Sequence, residues 1–144
     1  MVSHVLTFLV ILKSNAKIVN IEAIEKFVSV EISNPNKNMY LHSVVVKHII
    51  HGLYDISNPN NVCMKKDGTC KGHYPKVYYL NTYFESNDYP KYKRIDNGQK
   101  VKVRWHFLDN QWVVPYNLYL LAKFNCHMIV EICYTVKAVK YLYK

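Results

Sequence analysis

Lys91 to Trp105, KYKRIDNGQKVKVRW, reads as a β-hairpin. Asp96-Asn97-Gly98 divides the stretch, and Asn-Gly is the strongest short hairpin signal because the favoured two-residue turn needs positive φ at its central positions. The arms carry Lys91, Lys93, Arg94, Lys100, Lys102 and Arg104, so the hairpin, taken over 88–105, is basic as well as antiparallel.

Working outward, the flanking segments supply helices and further strands. Upstream, Asn38 is placed to cap a helix that carries Leu41, Val44, Val45, His48 and Ile49 on one stripe and stops at Gly52. Earlier still, Asn20 caps a helix with apolar positions Ile21, Ile24, Phe27 and Val28, ended by Asn34-Pro35. Val5 to Leu12 is β-rich and continuously apolar, as expected of a central strand covered on both faces. Downstream, Pro115-Tyr116-Asn117 opens a short helix through Lys123, Asn125 to Cys133 alternates as a strand, and a last helix starts near Thr135. Residues 54–76 are loop-rich, with turn chemistry at Asn58-Pro59-Asn60-Asn61 and Asp67-Gly68 and no helical period. The expected fold is a single α+β domain over 1–144: a partial antiparallel sheet with helices on one side and a cysteine-containing insertion.

The bulk properties narrow the function. At 144 residues and 50% apolar content the chain can build one core. Its formal charge is +9, and ten Lys and Arg face four acids between Lys65 and Arg104. A basic, aromatic-interleaved segment suits a phosphate backbone, where counterion release supplies affinity independent of sequence. The nucleic-acid candidates are therefore Lys91, Lys93, Arg94, Lys100, Lys102 and Arg104, with Tyr92 as a stacking ring. No GxxxxGK[ST] phosphate loop occurs, so ATP has no candidate site. The apolar run at Val5 to Leu12 is too short to span a membrane, and it lacks the basic segment of a signal peptide. The four cysteines, with no secretory signal, imply reduced thiols in an intracellular compartment.

Two groups of residues are candidates for metal. Cys63 and Cys70, with six residues between them, could be joined by His51 and His73 to complete four zinc ligands in the segment least able to make its own core. The competing reading is buried or free thiols. His127 and Glu131 share one face of the expected Asn125 to Cys133 strand and are a second candidate, against a hydrogen-bonded core pair.

Asp109-Asn110-Gln111-Trp112-Val113-Val114-Pro115-Tyr116-Asn117, then Lys123-Phe124-Asn125-Cys126-His127, form a dense motif. Val130-Glu131-Ile132-Cys133 and Val139-Lys140-Tyr141-Leu142-Tyr143-Lys144 follow it. Upstream stand His51-Gly52, Asn58-Pro59-Asn60, Cys63-Met64-Lys65, Gly68-Thr69-Cys70 and Tyr74-Pro75-Lys76, then Asp88-Tyr89-Pro90-Lys91-Tyr92 and Arg94-Ile95-Asp96-Asn97-Gly98. In this order the stretches resemble the replication initiators of Helitron-type rolling-circle transposons, from about Lys13 to Lys144. That family is one of His-hydrophobic-His (HUH) nucleases fused to a helicase. The resemblance implies an HUH-like core, a divalent metal such as magnesium held by two histidines, and two tyrosines that attack DNA phosphates. It also implies single-stranded DNA as partner and a nuclear location.

The match is incomplete at the chemistry. The metal histidines should fall where Val5 and Thr7 stand, with His4 the only histidine nearby. Tyr141 matches the first catalytic tyrosine, with Lys137 and Lys144 on its helical face to hold phosphate and lower the phenol pKa; the second tyrosine would come after Lys144. Tyr54 occupies the place of a further cysteine of the family pattern. The resemblance thus implies a catalytically incomplete piece of such an initiator that retains DNA binding. An active metal-dependent single-strand endonuclease using Tyr141 and a small zinc-stabilised interaction module are the alternatives. Salt-dependent binding to single strands separates the first from the last, and metal-dependent cleavage separates the nuclease from both.

Overall fold

A computed structural model describes residues 6–52, 63, 65–85 and 89–133. Among them the chain is α+β, with three helices and one two-stranded antiparallel sheet. Helix α1 spans Ile21–Phe27, α2 Met39–His48 and α3 Leu118–Phe124, and strands β1 and β2 span Val101–Val103 and His106–Leu108. Each helix begins at an asparagine whose side-chain oxygen accepts a first-turn N–H: Asn20 from Ala23, Asn38 from Leu41 and Asn117 from Leu120. These bonds satisfy donors that the helix itself cannot reach, which is why asparagine selects these starts.

The segment from Val113 to Tyr116 is the spine of the molecule. Ser29 and Tyr116 exchange both backbone bonds, at 2.8 and 2.9 Å, on one side. On the other, Val114 N–H donates to Ile49 O and His51 N–H donates to Trp112 O. Val113, Val114 and Tyr116 are buried with Ile32, Val44, Val45, Ile49, Val101 and Leu121 in the main core. A smaller cluster joins Ile24, Val28, Val30 and Tyr92. Pairing of the spine's N–H groups alongside apolar contact is what burial demands.

Several expectations are corrected. Helix α1 ends at Phe27, because Val28 to Ile32 runs extended and buries Val28, Val30 and Ile32 alternately, the period of a strand, well before Asn34-Pro35. Residues 6–11, expected as a buried central strand, form no strand and lie exposed, Ile11 by 87%. The spine already has neighbours on both sides, so the apolar run finds no place beside it. The expected strand from Asn125 to Cys133 is likewise absent. Asn125 takes the left-handed conformation that closes α3, and beyond it Val130 N–H donates to Pro115 O.

The hairpin lies later than expected, pairing Val101 with Leu108, Lys102 with Phe107 and Val103 with His106. At Asp96-Asn97-Gly98 the side chains of Asp96 and Asn97 accept from Gly98 and Gln99 N–H and turn the chain locally. Lys91 and Arg94 pair instead with Tyr83 and Tyr79. The expected helix near Thr135 lies outside the described residues.

Candidate metal centre

The end of α2 fixes the first ligand. Ile49 is fully buried, Ile50 pairs with Val113, and the His51 N–H bond to Trp112 O measures 2.7 Å. The other ligands come from a tight turn built by local polar bonds. The Asp67 carboxylate accepts from both the N–H and the hydroxyl of Thr69, Gly68 supplies a φ of +81°, and Lys65 N–H donates to Thr69 O. Lys71 N–H reaches Cys63 O at 2.8 Å and so brings Cys63 beside Cys70.

The three side chains converge. His51 Nε2 is 3.2 Å from Cys70 Sγ and 3.5 Å from Cys63 Sγ, and the two sulfurs are 3.5 Å apart. Zinc bonds of about 2.3 Å to sulfur and about 2.0–2.1 Å to nitrogen, set tetrahedrally, give edges of about 3.6 Å for N···S and about 3.8 Å for S···S. The observed triangle is smaller by only a few tenths of an ångström, so among the described residues three donors fit three corners of a zinc tetrahedron in chemistry and in spacing.

The electrostatics suit a metal at two of the three donors, His51 and Cys70. Burial, followed by the charges of Lys76 and His127, holds the His51 pKa down and favours the neutral imidazole a metal needs. Burial pushes the Cys63 thiol up. Burial pushes the same way at Cys70, but the backbone N–H of Tyr74, the Cys63 side chain, the Gly72 N–H and Lys76 outweigh it and bring this thiol down. N–H bonds to a ligand sulfur stabilise the thiolate that binds metal. Tyr74 stacks on the His51 ring with centroids 4.2 Å apart, and Lys76 Nζ lies 4.9 Å from the centre of the Tyr74 ring. A cleft of about 210 Å³ opens beside this group, lined by residues that include His51, Cys70, Tyr74 and Trp112.

Tyr74 and Gly72 did not emerge from the sequence as site residues. The only signal was proximity to Cys70, since stacking across 23 residues of chain leaves no trace in spacing.

Other expected residues are dispersed. His73 is exposed and does not join the cluster, because its left-handed backbone at φ +54° follows a bond from its N–H to Cys70 O. His127 and Glu131 form no metal group: His127 Nδ1 meets the His48 carbonyl, while Glu131 accepts from the Tyr92 hydroxyl at 2.7 Å. Among the described residues no third donor joins either one.

Tyr92 is therefore a core residue and not a stacking ring. Arg94, only 5% exposed, donates through Nη1 to the carbonyls of Asn110, Val113 and Val30, so it cannot meet phosphate. Lys91 faces Glu85 at 3.7 Å, and Lys93 borders a cleft with Glu25 and Glu31. Lys100, Lys102 and Arg104 stay exposed on or beside the β1–β2 hairpin. Tyr141, Lys137, Lys144 and Val5 lie outside the described residues, as does Tyr54.

Compared with known proteins, the chain matches no family model and no curated protein. Among the described residues no helix is long and apolar enough to cross a membrane.

Proposed function

We propose that this chain is a zinc-stabilised module that binds single-stranded DNA, the DNA-binding part of a Helitron-type initiator, and that it does not cut DNA by itself. The convergence of His51, Cys63 and Cys70 at zinc spacing carries the reading. Its ligands sit in the strings His51-Gly52, Cys63-Met64-Lys65 and Gly68-Thr69-Cys70, which belong to the family resemblance. Zinc there would cross-link the end of α2 to the 63–70 turn, a contribution to folding. The net charge of +9 favours an anionic polymer as partner.

The test combines native mass spectrometry with filter binding. One zinc per chain is expected, lost in the Cys63→Ser, Cys70→Ser double variant, together with oligonucleotide affinity that falls steeply with salt. Zinc without DNA affinity would make the chain an interaction module instead. Stoichiometric zinc in the double variant would remove the assignment.

The absence of cutting follows from residue types. Val5 and Thr7 stand where the resemblance calls for metal histidines, and neither side chain supplies the imidazole nitrogen with which that family holds its phosphate-polarising ion. Labelled single strands incubated with the chain and magnesium or manganese should show no covalent adduct on a denaturing gel. A slow, protease-sensitive band that vanishes in Tyr141→Phe would identify a working nuclease.

A further inference from the structure

The β1–β2 hairpin places bulky aromatic rings where folding has no use for them. Its register puts Val101 opposite Leu108, both buried, so these side chains form the inner face. Lys102 and Phe107, directly opposed on the outer face, are left to solvent, and Phe107 is 69% exposed. At the turn Trp105 is 87% exposed. Isolated exposed apolar residues are ordinary, but a tryptophan and a phenylalanine two residues apart on one ribbon are an unpartnered surface.

Charge says what covers this surface. From Asn97 to Leu108 there is no acidic residue, while Lys100, Lys102, Arg104 and His106 are all exposed. An apolar protein partner would gain nothing from that one-signed rim, whereas a polyanion with flat faces matches both features. The turn adds an independent sign. Arg104 occupies the left-handed region at φ +56°, where a tight hairpin turn favours glycine or asparagine. A long cation is kept there against local backbone preference, and backbone strain of this kind gathers at ligand sites.

We propose that the β1–β2 hairpin is a stacking platform for single-stranded DNA. Trp105 and Phe107 take the faces of unpaired bases, and Lys100, Lys102 and Arg104 take the adjoining phosphates. Stacking of this kind is tolerant of sequence, since every base presents a π-face. The proposal rests on the reading of the chain as a module that binds single-stranded DNA, and it adds the residues that take the bases and the phosphates.

The test is fluorescence anisotropy of labelled oligothymidine, and of a duplex of equal length, with the zinc-loaded full chain. Both rings are exposed, so Trp105→Ala, Phe107→Ala should keep the wild-type circular dichroism while weakening oligothymidine binding about tenfold or more, with the salt slope unchanged. Trp105→Phe, Phe107→Tyr should restore most of the affinity. Lys102→Gln, Arg104→Gln should flatten the salt slope by about 1.4, the contribution of two phosphates on a single strand. If the wild type binds oligothymidine and the double-alanine variant binds within twofold of it, the platform is wrong while the DNA reading stands. Equal affinity for the duplex would overturn the single-strand assignment. A wild-type chain that binds neither would overturn both readings.

Discussion

A guanidinium carries five N–H donors and keeps its charge at any ordinary pH, so burying one requires acceptors on hand. Arg94 finds them in three backbone carbonyls, of Val30, Asn110 and Val113, and so joins the extended 28–32 segment to the spine. Arg94→Met should cost about 3 kcal/mol or more in urea denaturation, because charge-assisted bonds are lost and carbonyls are left dry. Arg94→Lys should recover little, since the shorter lysine side chain does not carry its ammonium to the place of Nη1. Glu131, exposed for part of its length, holds its carboxyl end against the Tyr92 hydroxyl. Desolvation raises its carboxyl pKa, against the Tyr92 hydrogen bond, Lys76 and Arg94, which pull it down. A folded pKa above the unfolded value means that stability falls as pH rises through that window. Glu131→Gln, which keeps an acceptor for Tyr92, should therefore match or exceed the wild-type melting temperature at neutral pH and lose that advantage near pH 4. A marked loss at neutral pH would show instead that the charge is needed. Neither role was legible in the sequence. Arg94 sits among surface lysines in the string Lys91-Tyr92-Lys93-Arg94, and only its distant carbonyl partners distinguish it.

At the level of elements, legibility followed locality. The three helix starts were visible because an asparagine and the N–H it caps lie three residues apart. The Cys63 and Cys70 pairing with His51 was visible as composition, and His73 was misjudged because its place depends on a backbone turn. The hairpin was placed too early because the Asn97-Gly98 signal describes a turn, not the pairing of what flanks it; Asp96 and Asn97 satisfy that turn by themselves. Within the metal segment, Gly72 is tightly placed. A β-carbon there would meet the Tyr74 ring at 3.0 and 3.1 Å, and that ring stacks on His51. Gly72→Ala should thus displace Tyr74 and weaken zinc binding several-fold in competition with a chromogenic chelator, while Gly68→Ala should act only through its positive φ, on the turn. Equal zinc affinity in Gly72→Ala and the wild type would show that the stacked ring does not support the ligand.

Across the whole molecule, the centre joins parts that are remote in sequence. His51 and the 63–70 turn meet at the metal cluster, and the spine accepts partners from the first and second helical segments. Removing zinc with a chelator should lower the melting temperature by about 5 °C or more, given about 2–8 °C per kcal/mol for domains of this size range. No such fall would mean that the cluster stands without an ion. Bonds at the end of the spine and just beyond it span long distances: Asn117 Nδ2 donates to Phe27 O across 90 residues, and Tyr116 OH donates to Glu31 O across 85. A ribosome adding about 5–20 residues per second takes about 5–20 s to cover that interval. Until it ends, Ile24, Val28 and Val30 have only Ile18, Phe27 and, late in the interval, Tyr92 to pack against, without Val130 and Ile132. A translational pause just before Val113 should therefore increase chaperone capture of the nascent chain, and the same pause placed well after Asn125 should not.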